Sequence, residues 1–181
     1  MRQQWLMWNK ALSNDDVDAL IKRLEEFPTQ TAGVGEQGGN NTDIRRSTIS
    51  WIKDPNISND LWTVVQESNR IAFGFDVTSF CEVQYTKYFA TENGHYDWHE
   101  DVLWESDRMY DRKLSVTVQL SDPDDYEGGE FQFKEGEQPP STCREKGTIL
   151  VFPSYLVHRV TPVTKGTRKS LVAWFEGPRW R

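Results

Sequence analysis

The sequence predicts a mainly β protein with N-terminal helices (α+β), a jelly roll covered on one sheet by helices. Three observations carry this. Two stretches before residue 77 repeat their apolar residues at helical spacing. From Thr78 onward the apolar residues recur at every second position in a series of short runs. Turn residues separate those runs, the pattern of a sandwich or barrel. A chain of 181 residues is long enough for one domain with its own core. The expected organisation is a single domain over 1–181, with 1–77 as helical cover and lead-in strands and 78–178 as the jelly-roll core.

The first helix opens at Ser13, with Asp16 three residues on as a capping box. Val17, Leu20, Ile21 and Leu24 follow on one face, and Pro28 closes the segment. The Gly- and Asn-rich loop from Gly33 to Asn41 leads to a strand over Ser47 to Ile52, and is a candidate lid. The second helix follows Pro55, with Ser58 as its expected cap, Leu61, Val64 and Val65 on one face, and Gly74 at its end. Cys81, Val83 and Tyr85 then alternate with Glu82, Gln84 and Thr86. Leu114, Val116, Val118 and Leu120 alternate with Ser115, Thr117 and Gln119. Gly128-Gly129 precedes a short run to Phe133. Thr148 to Phe152, Val157 to Val163 and Lys169 to Phe175 complete the strands. The acidic turn Asp122 to Glu127 carries Asp-Pro and Gly-Gly turn chemistry and no assigned role.

Composition narrows the function. Eight Trp, nine Phe and six Tyr imply an aromatic core or site. The net charge is −7 with no basic tract, which argues against nucleic acid as a partner. Cys81 and Cys143, both read as strand residues, are too few for a disulfide framework. The N-terminal residues lack an adequate apolar signal region and no run reaches membrane-spanning length, so a cytoplasmic protein with no membrane partner is expected.

The chemistry concentrates at His99, Asp101 and His158, followed ten residues later by Arg168. Residues i and i+2 of a strand project to one face, so His99 and Asp101 project together and Glu100 points outward. Two imidazoles and one carboxylate suit a ferrous ion with open coordination positions. The same spacing occurs in His95-Tyr96-Asp97, and strand parity alone does not separate the two pairs. His158 follows the apolar run Ile149 to Pro153, and the chain holds just three histidines. Arg168 opens a strand that is apolar on both faces, Ser170, Val172 and Trp174 on one side and Leu171, Ala173 and Phe175 on the other. An inward arginine there needs an anionic partner. The segment Leu103 to Arg112, polar with Trp104, Met109 and Tyr110 interspersed, is expected to face substrate.

Residues 78 to 178 resemble the prolyl 4-hydroxylase-like branch of the 2-oxoglutarate/Fe(II) dioxygenases, and the bacterial PKHD-type hydroxylases in particular. The resemblance is strongest in Leu120 to Glu130 and in Val151 to Arg168. It implies a double-stranded β-helix. It selects His99 and Asp101 as metal ligands with His158, because Tyr96 stands three before His99, as in the family. It assigns Arg168 to the far carboxylate of 2-oxoglutarate, with Ser170 and Tyr88 beside it and Tyr85 as the rival to Tyr88. It brings Trp174 near the metal and Arg112 toward a peptide substrate, with Tyr96 counted on the substrate side. Gln119 departs from the pattern, standing where some relatives have a cosubstrate-binding tyrosine; it either donates a hydrogen bond there or faces solvent. The cofactors implied are Fe(II), 2-oxoglutarate and O2, with ascorbate as an optional accessory. The implied reaction hydroxylates a prolyl residue in a peptide or protein partner and releases succinate and CO2. Hydroxylation of a free amino acid or other small molecule, and a non-catalytic jelly-roll module binding a metal or ligand, are the competing readings.

Overall fold

The computed structural model describes residues 3–33 and 41–181, so positions 34–40 of the candidate lid lie outside the described residues. In chain order the elements are β1 (Leu6–Trp8), α1 (Asn14–Leu24), β2 (Gln30–Thr31), β3 (Arg45–Arg46), β4 (Thr48–Trp51) and α2 (Pro55–Ser68). Then follow β5 (Cys81–Phe89), β6 (His95–His99), β7 (Tyr110–Gln119), β8 (Tyr126–Gly128), β9 (Phe131–Phe133), β10 (Ile149–Pro153), β11 (His158–Val160) and β12 (Val163–Pro178). Helix α1 starts where its capping box places it, with the Asp16 amide donating to Ser13 Oγ. Helix α2 is capped by Asp54, not Ser58: Asp54 accepts from the Asn56 amide and Pro55 fills the first helical position. Ser58 already lies inside the first turn and bonds back to the Asp54 carbonyl. Cys143 sits in a short 3-10 turn, Ser141–Arg144, and not in a strand; both thiols are free and half-buried. No helix among the described residues is long and apolar enough to cross a membrane.

The strands form two antiparallel sheets. The larger runs β1-β10-β7-β12-β5-β4-β2, with β8 also paired to β12; the smaller runs β3-β6-β11-β9. These are the two walls of a double-stranded β-helix. Strand β12 is central, paired to β5 from Thr167 to Phe175 and to β7 from Ser170 to Pro178. One face of the large sheet carries Val83, Tyr85, Val116, Val118, Leu171, Ala173 and Phe175, which pack with Val17, Leu24, Leu61 and Val65 of the helices into the main core. The opposite face carries Thr86, Tyr88, Thr117, Arg168, Ser170 and Trp174 toward the small sheet. The polar half of each alternation is therefore also buried, and it lines the interior between the walls.

Candidate metal and cosubstrate site

His99 closes β6, Asp101 follows two residues later, and His158 opens β11 directly opposite His99. Their ligand atoms all lie within 4.8 Å of one another. His99 Nε2 is 3.8 Å from one Asp101 oxygen and His158 Nε2 is 3.6 Å from the other. Each Nδ1 lies on a backbone carbonyl, His99 on Asp97 at 2.7 Å and His158 on Leu156 at 2.8 Å. Nδ1–H must donate to those oxygens, which leaves both Nε2 lone pairs turned to the shared centre. These are the tautomers a divalent metal needs, and the mixed nitrogen and oxygen donor set with no sulfur fits iron.

The electrostatics agree. Burial, reinforced by the adjacent His158 imidazole, pushes His99 down to about 3, so its ring is neutral at physiological pH. Burial alone would raise the Asp101 carboxyl. The His158 and His99 rings, Arg112 and the Ser115 hydroxyl outweigh it and hold Asp101 below the ordinary carboxylate range. Ser115 Oγ donates to Asp101 Oδ2 at 2.6 Å. Since that hydroxyl has one hydrogen, Ser154 Oγ must donate to Ser115 Oγ across the 2.9 Å contact between them. The Asp101 amide is fixed as well, donating to the Ser154 carbonyl.

A bulge separates the two His-x-Asp pairs. Three residue steps on β6 match two on β11, since His99 pairs with His158 and Tyr96 with Val160. The extra residue flips parity, bringing Tyr96 and His99 to one side with ring centroids 3.4 Å apart. His95 falls on the other side, its two nitrogens 2.8 and 3.1 Å from the Asn93 and Asp43 carbonyls, and Asp97 is exposed. Burial pushes the Tyr96 hydroxyl up to about 12.

Arg168 is 4 % exposed and lines the same void of about 40 Å³. It donates to Ser170 Oγ at 3.3 Å and its guanidinium is 5.6 Å from the Tyr88 ring centre. No carboxylate among the described residues pairs with it. Gly129, in the left-handed region at φ +60°, allows this: a Cβ there would lie 2.9 Å from Arg168 Cδ. Tyr88 and Tyr85 lie three apart on β5 and so face oppositely. Tyr88 lines the void, while Tyr85 belongs to the helical core and its hydroxyl approaches Glu25. Gln119 is buried and donates to the Tyr126 hydroxyl at 3.0 Å, so it neither faces solvent nor lines the void.

Outward from the triad the void meets a cleft of about 430 Å³ lined by Trp51, Trp174, Glu82, Leu103 and Arg112 among others. Arg112 stacks 4.1 Å from the Trp174 ring centre and reaches Glu82 at 2.6 Å. Glu100 lines this cleft and accepts from Trp104 Nε1, which corrects its reading as an outward charge; β6 has ended and the alternation with it. Of the segment 103–112, Leu103, Arg108 and Arg112 face the cleft, Trp104 and Met109 are exposed, and Tyr110 already begins β7. The sequence reading missed Arg45, Gln84 and Ser115. The last two share parity with Tyr88 and Thr117, which was the available signal.

A model of the 2OG-Fe(II) oxygenase superfamily matches residues 83–176. A PKHD-type hydroxylase of Nitrosomonas europaea is 30 % identical over 156 residues, covering 83 % of this chain and 69 % of that protein. A PKHD-type hydroxylase of Gloeothece citriformis is 40 % identical over 74 residues, covering 41 % of this chain and 31 % of that protein. Among solved structures, a Pseudomonas putida prolyl-4-hydroxylase superposes with a TM-score of 0.71 at 20 % identity, covering 97 % of this chain and 93 % of that one. A Trichoplax adhaerens prolyl hydroxylase in complex with a hypoxia inducible factor peptide fragment gives 0.72 at 17 % identity, covering 95 % and 83 %. At these identities the two structures bear on the fold.

Proposed function

Because the chain belongs to the 2OG-Fe(II) oxygenase superfamily and is a 2-oxoglutarate/Fe(II)-dependent dioxygenase, we propose that its site hydroxylates a prolyl residue in a peptide or protein and releases succinate and CO2. The family works with Fe(II), 2-oxoglutarate and O2, which together supply the oxidising chemistry when bound. The observation that carries the reading is the pairing of a triad whose Nε2 atoms converge with a buried arginine that has no counter-anion among the described residues, in the same void. His99, Asp101 and His158 would hold the metal. Arg168 would pair with the far carboxylate of 2-oxoglutarate, with Ser170 orienting the guanidinium and Tyr88 walling the pocket. Trp174 and Arg112 would form the substrate wall, and Tyr96 would fix the His99 ring by stacking on it. The prolyl assignment leans on the neighbours named as prolyl hydroxylases, one of them holding a peptide, and on the open aromatic cleft at the triad.

Anaerobic titration of Fe(II) into the 2-oxoglutarate complex tests the site by its weak visible charge-transfer band. The band should appear in wild type and in His95→Ala, and be lost in His99→Ala and Arg168→Ala. Proline-containing peptides should then stimulate succinate release and gain one oxygen by mass. A folded wild-type protein without the band would sink the site assignment. Turnover of free amino acids but not peptides would replace the prolyl-peptide reading with the small-molecule one.

A further inference from the structure

Arg45 is a second arginine buried at the triad, 8 % exposed, and among the described residues its side-chain hydrogen-bond partners are neutral. Its Nε donates to Ser47 Oγ at 2.9 Å and Nη2 donates to Gln84 Oε1 at 2.7 Å, both neutral acceptors. Strand pairing sets Arg45 opposite Tyr96, and its guanidinium lies 4.5 Å from that ring centre. Neutral acceptors and an aromatic face hold a guanidinium in place without cancelling its charge. No carboxylate among the described residues forms an ion pair with it. The neighbouring cations are matched, since Arg108 and Arg112 both reach Glu82 and Arg108 also reaches Glu176.

Position gives this charge its use. Arg168 lines the inner void alone, whereas Arg45 lines both the void and the open cleft. It therefore stands where substrate meets the metal. Among the described residues, the buried ionised side chains of the void are Arg45, Arg168 and Asp101, one net positive charge. A ferrous ion adds two and 2-oxoglutarate removes two, so one positive charge is still unbalanced when both are present. A buried site of that kind favours a monoanion.

We propose that Arg45 is a specificity-determining residue that pairs with a carboxylate of the substrate, so that the substrate carries an acid close to the carbon it presents to the triad. This rests on the reading of the site as a substrate-hydroxylating centre and names its substrate class more closely. The carboxylate has two sources, an Asp or Glu side chain beside the target residue of a peptide, or the α-carboxylate of a free amino acid. A residue that merely propped Tyr96 against His99 would give no preference for an acid over its amide.

The first arm of the test is independent of proline. Butyrate and butyramide are titrated into the Mn(II)·2-oxoglutarate form, and binding is read from the relaxation of probe protons by the nearby metal. Butyrate should bind at least about tenfold more tightly than butyramide, the selectivity of one charge-assisted contact. Arg45→Gln should abolish that preference and Arg45→Lys should keep part of it, with thermal unfolding confirming that each variant is folded. Equal binding of the two probes, a preference that survives Arg45→Gln, or butyrate displaced by added 2-oxoglutarate would overturn the proposal. The second arm compares turnover of Asp-bearing proline peptides with their Asn counterparts, and of L-proline with L-prolinamide. An acid preference in the peptides assigns a side-chain carboxylate, and one in free proline assigns the α-carboxylate. An Arg45-dependent butyrate site with no turnover of any proline compound would retire the prolyl reading and leave the carboxylate proposal standing.

Discussion

Removing the Ser115 hydroxyl should weaken metal binding although Ser115 is not one of the three candidate ligands. Ser115 and Ser154 are both fully buried, and Asp101 is 6 % exposed, so water cannot replace a lost partner. Ser115→Ala takes away the 2.6 Å hydrogen bond to Asp101 Oδ2. A hydrogen bond to a charged group contributes about 1.5–3 kcal/mol, and outer partners of metal ligands typically govern affinity by about 10–100-fold. The expected loss of Fe(II) affinity is thus about 10–100-fold, measured anaerobically by competition with a chromophoric chelator. Ser154→Ala removes a neutral bond that reaches Asp101 only through Ser115, so its effect should be nearer a fewfold. Because the two act in series, the double variant should match Ser115→Ala within experimental scatter. Metal affinity within threefold of wild type in Ser115→Ala, accompanied by a lower unfolding temperature, would refute the reasoning and reduce the serine pair to packing.

Three further outcomes follow from the geometry. In the metal-free protein the depressed His99 means that the unfolded chain takes up a proton first as pH falls below about 6.5; stability should drop by about 2 kcal/mol between pH 8 and pH 5, and urea unfolding of His99→Gln should lack that slope. Gly129→Ala sets a Cβ against Arg168 Cδ at φ +60°, so the KM for 2-oxoglutarate should rise with Fe(II) affinity unchanged, and an unchanged KM would show that Arg168 gives way freely. Arg112 and Arg108 hold the Glu82 carboxyl low against its burial. Arg112→Met should therefore cost stability on the order of 1 kcal/mol at pH 7, and the deficit should shrink as pH falls below about 4.3 and Glu82 protonates; a pH-independent deficit would point to lost stacking on Trp174 instead.

The sequence made the triad legible because histidine is scarce and strand pairing brings His158 opposite His99. It could not separate His95 from His99, because a β-bulge is one residue of register and leaves no mark in the alternation. Polar and apolar alternation ordinarily marks a solvent face and a core face, yet in a double-walled sheet both faces are buried. Alternation alone therefore does not show that Ser115, Thr117, Gln84 and Thr86 turn to the interior between the walls. Arg45 was hidden by context, since Arg45-Arg46 after a Gly- and Asn-rich loop resembles a hydrated turn, and only pairing with Tyr96 shows that one of the two points inward. Tyr88 against Tyr85 was decidable from parity, because Tyr85 shares the apolar face of Cys81 and Val83. Asp54 was overlooked as a cap because Pro55 obscures the helix start that it initiates.

Strand β12 carries Arg168, Ser170 and Trp174 on one face, with a rise of about 3.3 Å per residue, so it acts as a ruler about 20 Å long from the deep end of the void to its mouth. Both its neighbours are hydrogen-bonded along it, and a one-residue slip would turn every one of those side chains into the helical core. With Arg168 as the proposed partner of the far carboxylate, the chain length of the diacid would be fixed by the sheet and not open to gradual adjustment. The cleft is bounded partly by the connection over 103–109, which no ladder constrains. On the proposed reading, altering that rim would change what is oxidised while the co-reactant stays the same.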